Sequence, residues 1–460
     1  MVLIYFSPEF AIVLLIFVCA YWWIFRHYGV KAQNSSILIF NYVILIWINP
    51  YFALVVGLYT LVIYLFSRLL YRFDYGIILL FCVSILVLIL SFFKYFSSIK
   101  DSVIAIFAFV GLDFLADFII FPLGISFYTF ASITYLSEVY KNRKLENLKD
   151  LATYLSFFPT FISGPIMKSS FFFTQLHEYR IFSKMELIFV LIIFGLTKKV
   201  LFASYLQGFS DNILQNPADF SVISLLLGIY AYGLRLYCDF SGYVDLVSAF
   251  ALMLGFHLPQ NFNMPYAARN IRDFWGRWHI TLSHFIRDFI YIPLGGNKRG
   301  FFLTQVFILI SFAISGIWHG NSLNFLIWGL LHGVGLVVFN IFRFYKFSIS
   351  LPYLSSFLTI NFVMFAWVFF YFESFSDAIF YLESFYFNVA MPVSDNEVTI
   401  LLILILAFLL YPFLKDIERK ISIFLTKIPF IIQPFIFSFF LILIIGFSPS
   451  GIPNFIYAGF

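Results

Sequence analysis

Phe301-Phe-Leu-Thr-Gln-Val-Phe-Ile-Leu-Ile-Ser-Phe-Ala-Ile-Ser-Gly-Ile-Trp-His-Gly320 is an apolar run of membrane-crossing length that stops at a histidine. A hydrocarbon core of about 30 Å takes about 20 helical residues. A lipid-crossing strand would alternate polar and apolar residues, whereas this run is continuously apolar, so a helix is expected and a barrel is not. The pattern recurs near 10–25, 76–96, 103–121, 151–167, 186–208, 221–238, 323–342, 356–372, 398–414 and 428–447. The stretch 37–66 adds one or two more spans, split at Asn49-Pro50. The fold class is therefore all-α, a polytopic helical membrane protein with about 11–12 transmembrane helices. Composition agrees: 62% of residues are apolar and 11% charged, where soluble domains carry about 25% charge. With no internal repeat or long linker, residues 1–460 read as a single integral-membrane domain.

The first run is preceded only by Glu9, without the basic residues of a cleaved signal peptide, and is expected to stay as the first helix. Basic clusters at Arg26/Lys31, Arg68/Arg72, Lys141/Arg143/Lys144, Arg269 to Arg299, Arg343/Lys346 and Lys415/Arg419/Lys420 mark inner loops, which turns both termini outward. Lys198-Lys199, between apolar stretches, is the exception. The net charge of +5 follows from these loops and implies lipid headgroup contact, not a nucleic-acid partner. Cys19, Cys82 and Cys238 are too far apart for a disulfide framework or a metal site, and no metal is expected.

Chemistry concentrates between Asp273 and Gly320, where histidines, arginines and tryptophans stand among the spans. Ionisable groups at membrane depth are expensive and mark function by default. Asn270 with Asp273 resembles a helix cap and Pro293-Leu-Gly295-Gly296 a stop, so residues 271 to 292 are expected to form one helix. Its amphipathic side would carry Trp275, His279, Leu282 and Ile286, and another side Arg277, Thr281, His284 and Asp288. Such a helix suits the inner interface. Packed antiparallel to the next helix, it would place His279 about 20 Å and His319 about 27 Å from the turn, at 1.5 Å per residue, close enough for both to line one cavity.

An imidazole titrates near neutral pH and can serve as the base that acyl transfer from a thioester to a hydroxyl requires. The structural alternative is a histidine hydrogen-bonded across helices. Asp239 and Asp245 flank Ser241-Gly242 and need cationic or imidazole partners such as Arg235, Arg272 or a histidine, leaving open whether they orient an imidazole or form a salt bridge. Trp275, Trp278 and Trp318 read as residues that shape and dry a cavity. His332 reads as structural, and His257 and His284 have no assigned role. Arg269, Arg272, Lys298 and Arg299 form a basic mouth suited to headgroups or to coenzyme A phosphates.

Eight segments in order resemble the bacterial branch of the membrane-bound O-acyltransferase (MBOAT) family. They are Pro122-Leu-Gly-Ile-Ser-Phe-Tyr-Thr-Phe130, Phe158-Pro159 with Gly164-Pro165, Gly195-Leu-Thr-Lys-Lys-Val200, Tyr237-Cys-Asp-Phe-Ser-Gly-Tyr-Val-Asp245, Asn261-Phe-Asn-Met-Pro-Tyr266, the His279 segment, Tyr291-Ile-Pro-Leu-Gly-Gly-Asn297 and Gly316-Ile-Trp-His-Gly320. The resemblance covers about 122–333 and is strongest to membrane subunits of alginate and peptidoglycan O-acetylation. It implies re-entrant and interfacial helices around a central funnel and tunnel, with His319 as the catalytic histidine and His279 as the second histidine of the chamber. Asp239, Asp245 and Trp318 would support them, and Arg272 with Lys298 would meet the donor. No permanently bound cofactor is implied; acetyl-CoA would be the acyl donor.

The C-terminal Phe455-Ile-Tyr457-Ala-Gly-Phe460 is similar to the family branch's aromatic tail, which implies an acyl relay through Tyr457 to a periplasmic SGNH or esterase-like O-acetyltransferase. Ala458 departs from the usual phenylalanine, and Gly276 stands where relatives commonly carry arginine. The implied activity is acetyl transfer across the bacterial inner membrane onto an envelope glycan, peptidoglycan first. Alginate-like exopolysaccharide acetylation, D-alanyl transfer to teichoic acid and a non-catalytic acyl-donor channel are the alternatives.

Overall fold

The computed structural model describes residues 2–109, 120–347 and 351–449, which are helical throughout their ordered elements, with no strand among them. Eight of the described helices are long and apolar enough to cross a membrane: Pro50–Arg72, Gly76–Lys94, Met185–Gln215, Val222–Met253, Phe301–His319, Leu323–Phe344, Pro352–Tyr371 and Asp395–Leu414. Pro8–Trp23 and Gln433–Phe447 are shorter apolar helices. The chain is a multi-pass, all-α membrane protein.

Two compact units emerge, one built mainly from Met1–Ser183 with Phe250–Pro259, the other from Lys184–Ala249 with Gln260–Ile456. In the first, Ser7 caps the opening helix by accepting from the Phe10 N–H at 3.1 Å. Pro50 cannot continue a helix from behind, so the chain breaks at Asn49, whose side chain caps Pro50–Arg72 by accepting from Tyr51 N–H at 2.9 Å. That break splits 37–66 where the sequence suggested, giving Val30–Ile48 and Pro50–Arg72. The buried Arg180 guanidinium is satisfied by the Tyr21 hydroxyl at 2.6 Å, Asn34 Oδ1 at 2.6 Å and the Leu176 carbonyl at 2.9 Å.

One expected span fails. Residues 151–167 form no transmembrane helix, only the ends of Leu148–Leu155 and Phe158–Phe161 followed by loop. Pro159 and Pro165 each lack the N–H that a continuing helix needs, and Gly164 adopts φ +128, outside helical geometry. The run is apolar because it is buried within the first unit, where Phe157, Phe158 and Phe161 are at most 4% exposed. Part of the expected 103–121 span follows the helix Phe96–Phe109 and lies outside the described residues.

Candidate active site

The second unit holds every described histidine and carboxylate singled out above except His257. Phe301–His319 and Leu323–Phe344 pack as a tight hairpin, because glycine stands on both sides of their crossing. A Cβ on Gly316 would lie 2.3 Å from the Phe325 carbonyl oxygen, and one on Gly329 would lie 2.3 Å from that of Phe312. Only bare backbones fit at that separation. Ser322 caps the return helix by accepting from Asn324 N–H at 3.2 Å, and the Asn324 amide donates to the Phe372 and Ser374 carbonyls at 2.7 and 2.9 Å.

His319, 3% exposed, is the last residue of its helix and sits in an aromatic cup. Trp318, Trp328 and Phe370 surround it at ring-centre distances of 4.6, 4.9 and 5.1 Å. His332, fully buried, packs against the Trp328 ring at 5.0 Å and against Trp275 at 5.1 Å.

The His279 segment departs from the single helix expected over 271 to 292. The helix Ile271–Trp275 opens on the Asn270 cap, with Asp273 N–H donating to Asn270 Oδ1 at 2.8 Å, and ends at Gly276. His279 then adopts φ 41 and ψ 53, left-handed backbone uncommon for a residue with a Cβ, and only Ile280–Ile286 resumes the α-helix before a π-helical Arg287–Tyr291. The expected faces are broken accordingly: Trp275 and His279 no longer share a helix.

Asn261 holds this conformation. Its backbone carbonyl accepts from Ile280 N–H at 2.9 Å. Its Oδ1 accepts from Thr281 N–H at 3.2 Å and the Thr281 hydroxyl at 2.8 Å, and lies 3.2 Å from His279 Nδ1. Because the Thr281 N–H can only donate, the Asn261 atom is the oxygen, so His279 Nδ1 carries the proton and Nε2 the lone pair. Burial pushes this imidazole well below its usual pKa, keeping it neutral. Phe240 packs edge-on against it at 4.8 Å.

The structure does not bring the two imidazoles into one described cavity. A layer of indoles links their surroundings: Trp328 stacks on Trp367 at 5.7 Å, and Trp367 packs on Trp278, the neighbour of His279, at 5.2 Å.

The intramembrane carboxylates take lysine partners. Asp239 pairs with Lys199, both almost fully buried. Asp245 pairs with Lys198 at 2.7 Å, and Lys198 also reaches Glu418 at 2.9 Å. Arg235, the partner suggested by the sequence, instead binds Asp211 at 2.7 Å. The π-helical Thr197–Phe202 delivers both lysines, and its helix crosses Val222–Met253 so closely that a Cβ on Gly242 would stand 2.8 Å from the Gly195 carbonyl oxygen. The Lys198-Lys199 anomaly is thus the counter-charge to Asp239 and Asp245.

A cavity of about 930 Å³ opens beside this machinery, lined by Arg272, Arg287 and Arg343 and by an inner wall that includes Trp275, Phe312 and Ser315. Arg272 is where a donor-binding residue was expected; Lys298 is exposed and does not line the cavity, and neither do His279 and His319. His284, left unassigned by the sequence, does.

The sequence model described as MBOAT, membrane-bound O-acyltransferase family, matches residues 128–376, more than half of the chain. The protein belongs to that family. Its similarity extends to the peptidoglycan O-acetyltransferase of Helicobacter pylori, 36% identical over 285 residues (55% of this chain, 54% of the relative). The probable alginate O-acetylase AlgI of Pseudomonas aeruginosa is 38% identical over 256 residues (54% and 49%). The teichoic acid D-alanyltransferase of Bacillus subtilis is 30% identical over 239 residues (48% and 59%). The chain thus matches about half the length of these relatives.

Within the MBOAT match lie His279, His319, Asp239, Asp245 and the cavity; Tyr457 lies beyond it and outside the described residues. Three features of this MBOAT protein escaped the sequence reading: the Asn261 clamp, the Arg287 and Arg343 sides of the cavity, and the place of Ser315 in its lining. Asn261 stood in a quoted motif, and a side-chain amide within an irregular loop is the signal that points to such a clamp.

Proposed function

We propose that this chain is a membrane O-acyltransferase that takes acetyl from cytosolic acetyl-CoA and passes it across the bacterial inner membrane for O-acetylation of an envelope glycan, peptidoglycan before alginate-like polymers. One observation carries the reading: a large cavity with three guanidinium groups in its lining reaches Ser315, one helical turn before His319. Guanidinium groups suit phosphates, and an apolar inner wall suits a thioester arm. The Bacillus subtilis relative named above makes D-alanyl transfer one outcome of the test, and a non-catalytic channel is another.

In this mechanism His319 takes the proton of the acceptor hydroxyl. The acceptor oxygen bonds to the carbonyl carbon, the carbon–sulphur bond breaks, and the proton passes to the departing thiolate. His279, neutral with its lone pair on Nε2, positions the reacting groups. Tyr457 relays the acyl group to a periplasmic SGNH or esterase-like partner, with both termini on the outer side.

The protein purified in lipid nanodiscs should release coenzyme A from acetyl-CoA and transfer labelled acetyl to a glycan or partner acceptor. His319→Ala should lose at least about 1,000-fold, the scale of an essential proton-transfer group, at unchanged abundance. Full activity in that variant, or transfer from a D-alanyl carrier protein but not from acetyl-CoA, refutes the reading. For the relay, Tyr457→Phe removes only the hydroxyl; transfer to the partner should stop, and unimpaired transfer discards the role of Tyr457.

A further inference from the structure

The inner wall of the cavity contains two polar groups that the fold has not satisfied. Ser315 Oγ and Trp275 Nε1 are buried, 2% and 8% exposed by residue, line the cavity, and have no hydrogen-bond partner among the described residues. Buried donors ordinarily find partners, because leaving one unmade costs its full desolvation.

Ser315 is instructive beside Ser311, one turn earlier on the same helix. Ser311 donates back to the Phe307 carbonyl at 2.7 Å, the usual resort of a serine within a helix, and Thr359, Ser384 and Ser132 do the same on other helices. Ser315 makes no such bond, and the residue lines the cavity. The Trp275 indole stands 5.1 Å from the ring of Phe312, which lies three residues before Ser315 on the same helix face. Both residues therefore line the cavity beside Phe312, with Arg272 on the same short helix as Trp275 and Arg287 and Arg343 on other elements.

We infer that Ser315 and Trp275 are the carbonyl-binding donors of the acyl-transfer site, holding the thioester oxygen of the donor by the serine hydroxyl and the indole N–H. The inference rests on the donor reading proposed above. Two neutral donors suit an oxygen that is uncharged in the bound thioester and gains charge only as the acceptor oxygen bonds to the carbonyl carbon. A cation there would bind the ground state as well and contribute less to rate. Placement supports the assignment, because residues four apart share a helix face, and Ser315 thus presents the carbonyl carbon one turn, about 6 Å along the axis, from His319. Trp275 donates and cannot accept, so its partner must be an acceptor, as an acyl oxygen is.

The test uses the full-length protein in nanodiscs and an unreactive analogue of acetyl-CoA, a ketone in which methylene replaces the thioester sulphur, with its carbonyl labelled with carbon-13. Infrared difference spectra should show the labelled carbonyl band at lower frequency when bound than in buffer. Ser315→Ala and Trp275→Phe should each return the band towards its free position and lower kcat about 100-fold, the scale of one lost oxyanion donor, with donor KM nearly unchanged. Ser315→Ala only shortens a side chain, so it carries the test alone should Trp275→Phe fail to fold. An analogue that binds with an identical carbonyl band in wild type and Ser315→Ala overturns the assignment and leaves the donor reading standing. An analogue that does not bind the wild type at all overturns the donor reading, and this assignment with it.

Discussion

At the scale of single residues, the two histidines owe their settings to different neighbours. His319 sits among the rings of Trp328 and Phe370, whereas the Asn261 carboxamide lies against His279 and also fixes the backbone around it. Asn261→Leu would strand the His279 Nδ1–H and the Thr281 N–H, a loss of about 1–3 kcal/mol, and release the left-handed turn. Acetyl transfer should fall sharply and the melting temperature drop, whereas Asn261→Asp, which keeps an acceptor oxygen, should lose less of both. Equal behaviour of the two variants would deny the clamp. The histidines themselves were legible in the sequence, because ionisable groups among apolar runs stand out. The clamp was not, since an asparagine's partners eighteen to twenty residues away depend on how the loop returns.

At the scale of elements, periodicity worked where a helix lies in lipid and failed where apolar residues serve another purpose. Continuous apolar runs found Phe301–His319 and Leu323–Phe344 almost to the residue. The same signal misread 151–167, since burial inside protein and exposure to lipid select the same side chains. Helical spacing likewise joined Trp275 to His279 across a break that Gly276 and the Asn261 contacts impose. The hairpin offers a direct check. Gly316→Ala puts a methyl 2.3 Å from a backbone carbonyl, so the helices must separate and His319 must move. Stability should fall by about 1–3 kcal/mol, as for overpacking, with loss of transfer activity. Gly446, with open space around its Cβ position, should tolerate alanine without measurable cost in a thermal unfolding assay.

At the scale of the whole molecule, charge is distributed by function as much as by topology. Arginines counted in the sequence as markers of inner loops become, in the second unit, part of the lining of one cavity. Arg272→Gln with Arg343→Gln should raise the donor KM several-fold while sparing kcat, the signature of uniform binding, and should flatten its dependence on salt, which screens exposed charges over about 8–10 Å. A fall in kcat at constant KM would place these residues elsewhere in the reaction. Amino-acid order alone determined the helical membrane class, most of the spans, the family and the two histidines, because length, apolarity and local motifs are properties of contiguous residues. Only the tertiary structure decided that Lys198 and Lys199 answer Asp245 and Asp239, that Asn261 sets the His279 tautomer, and that Ser315 and Trp275 line one cavity. Those pairings join residues far apart in the chain, and the strength of a buried charge or hydrogen bond depends on distances that nothing in local sequence specifies.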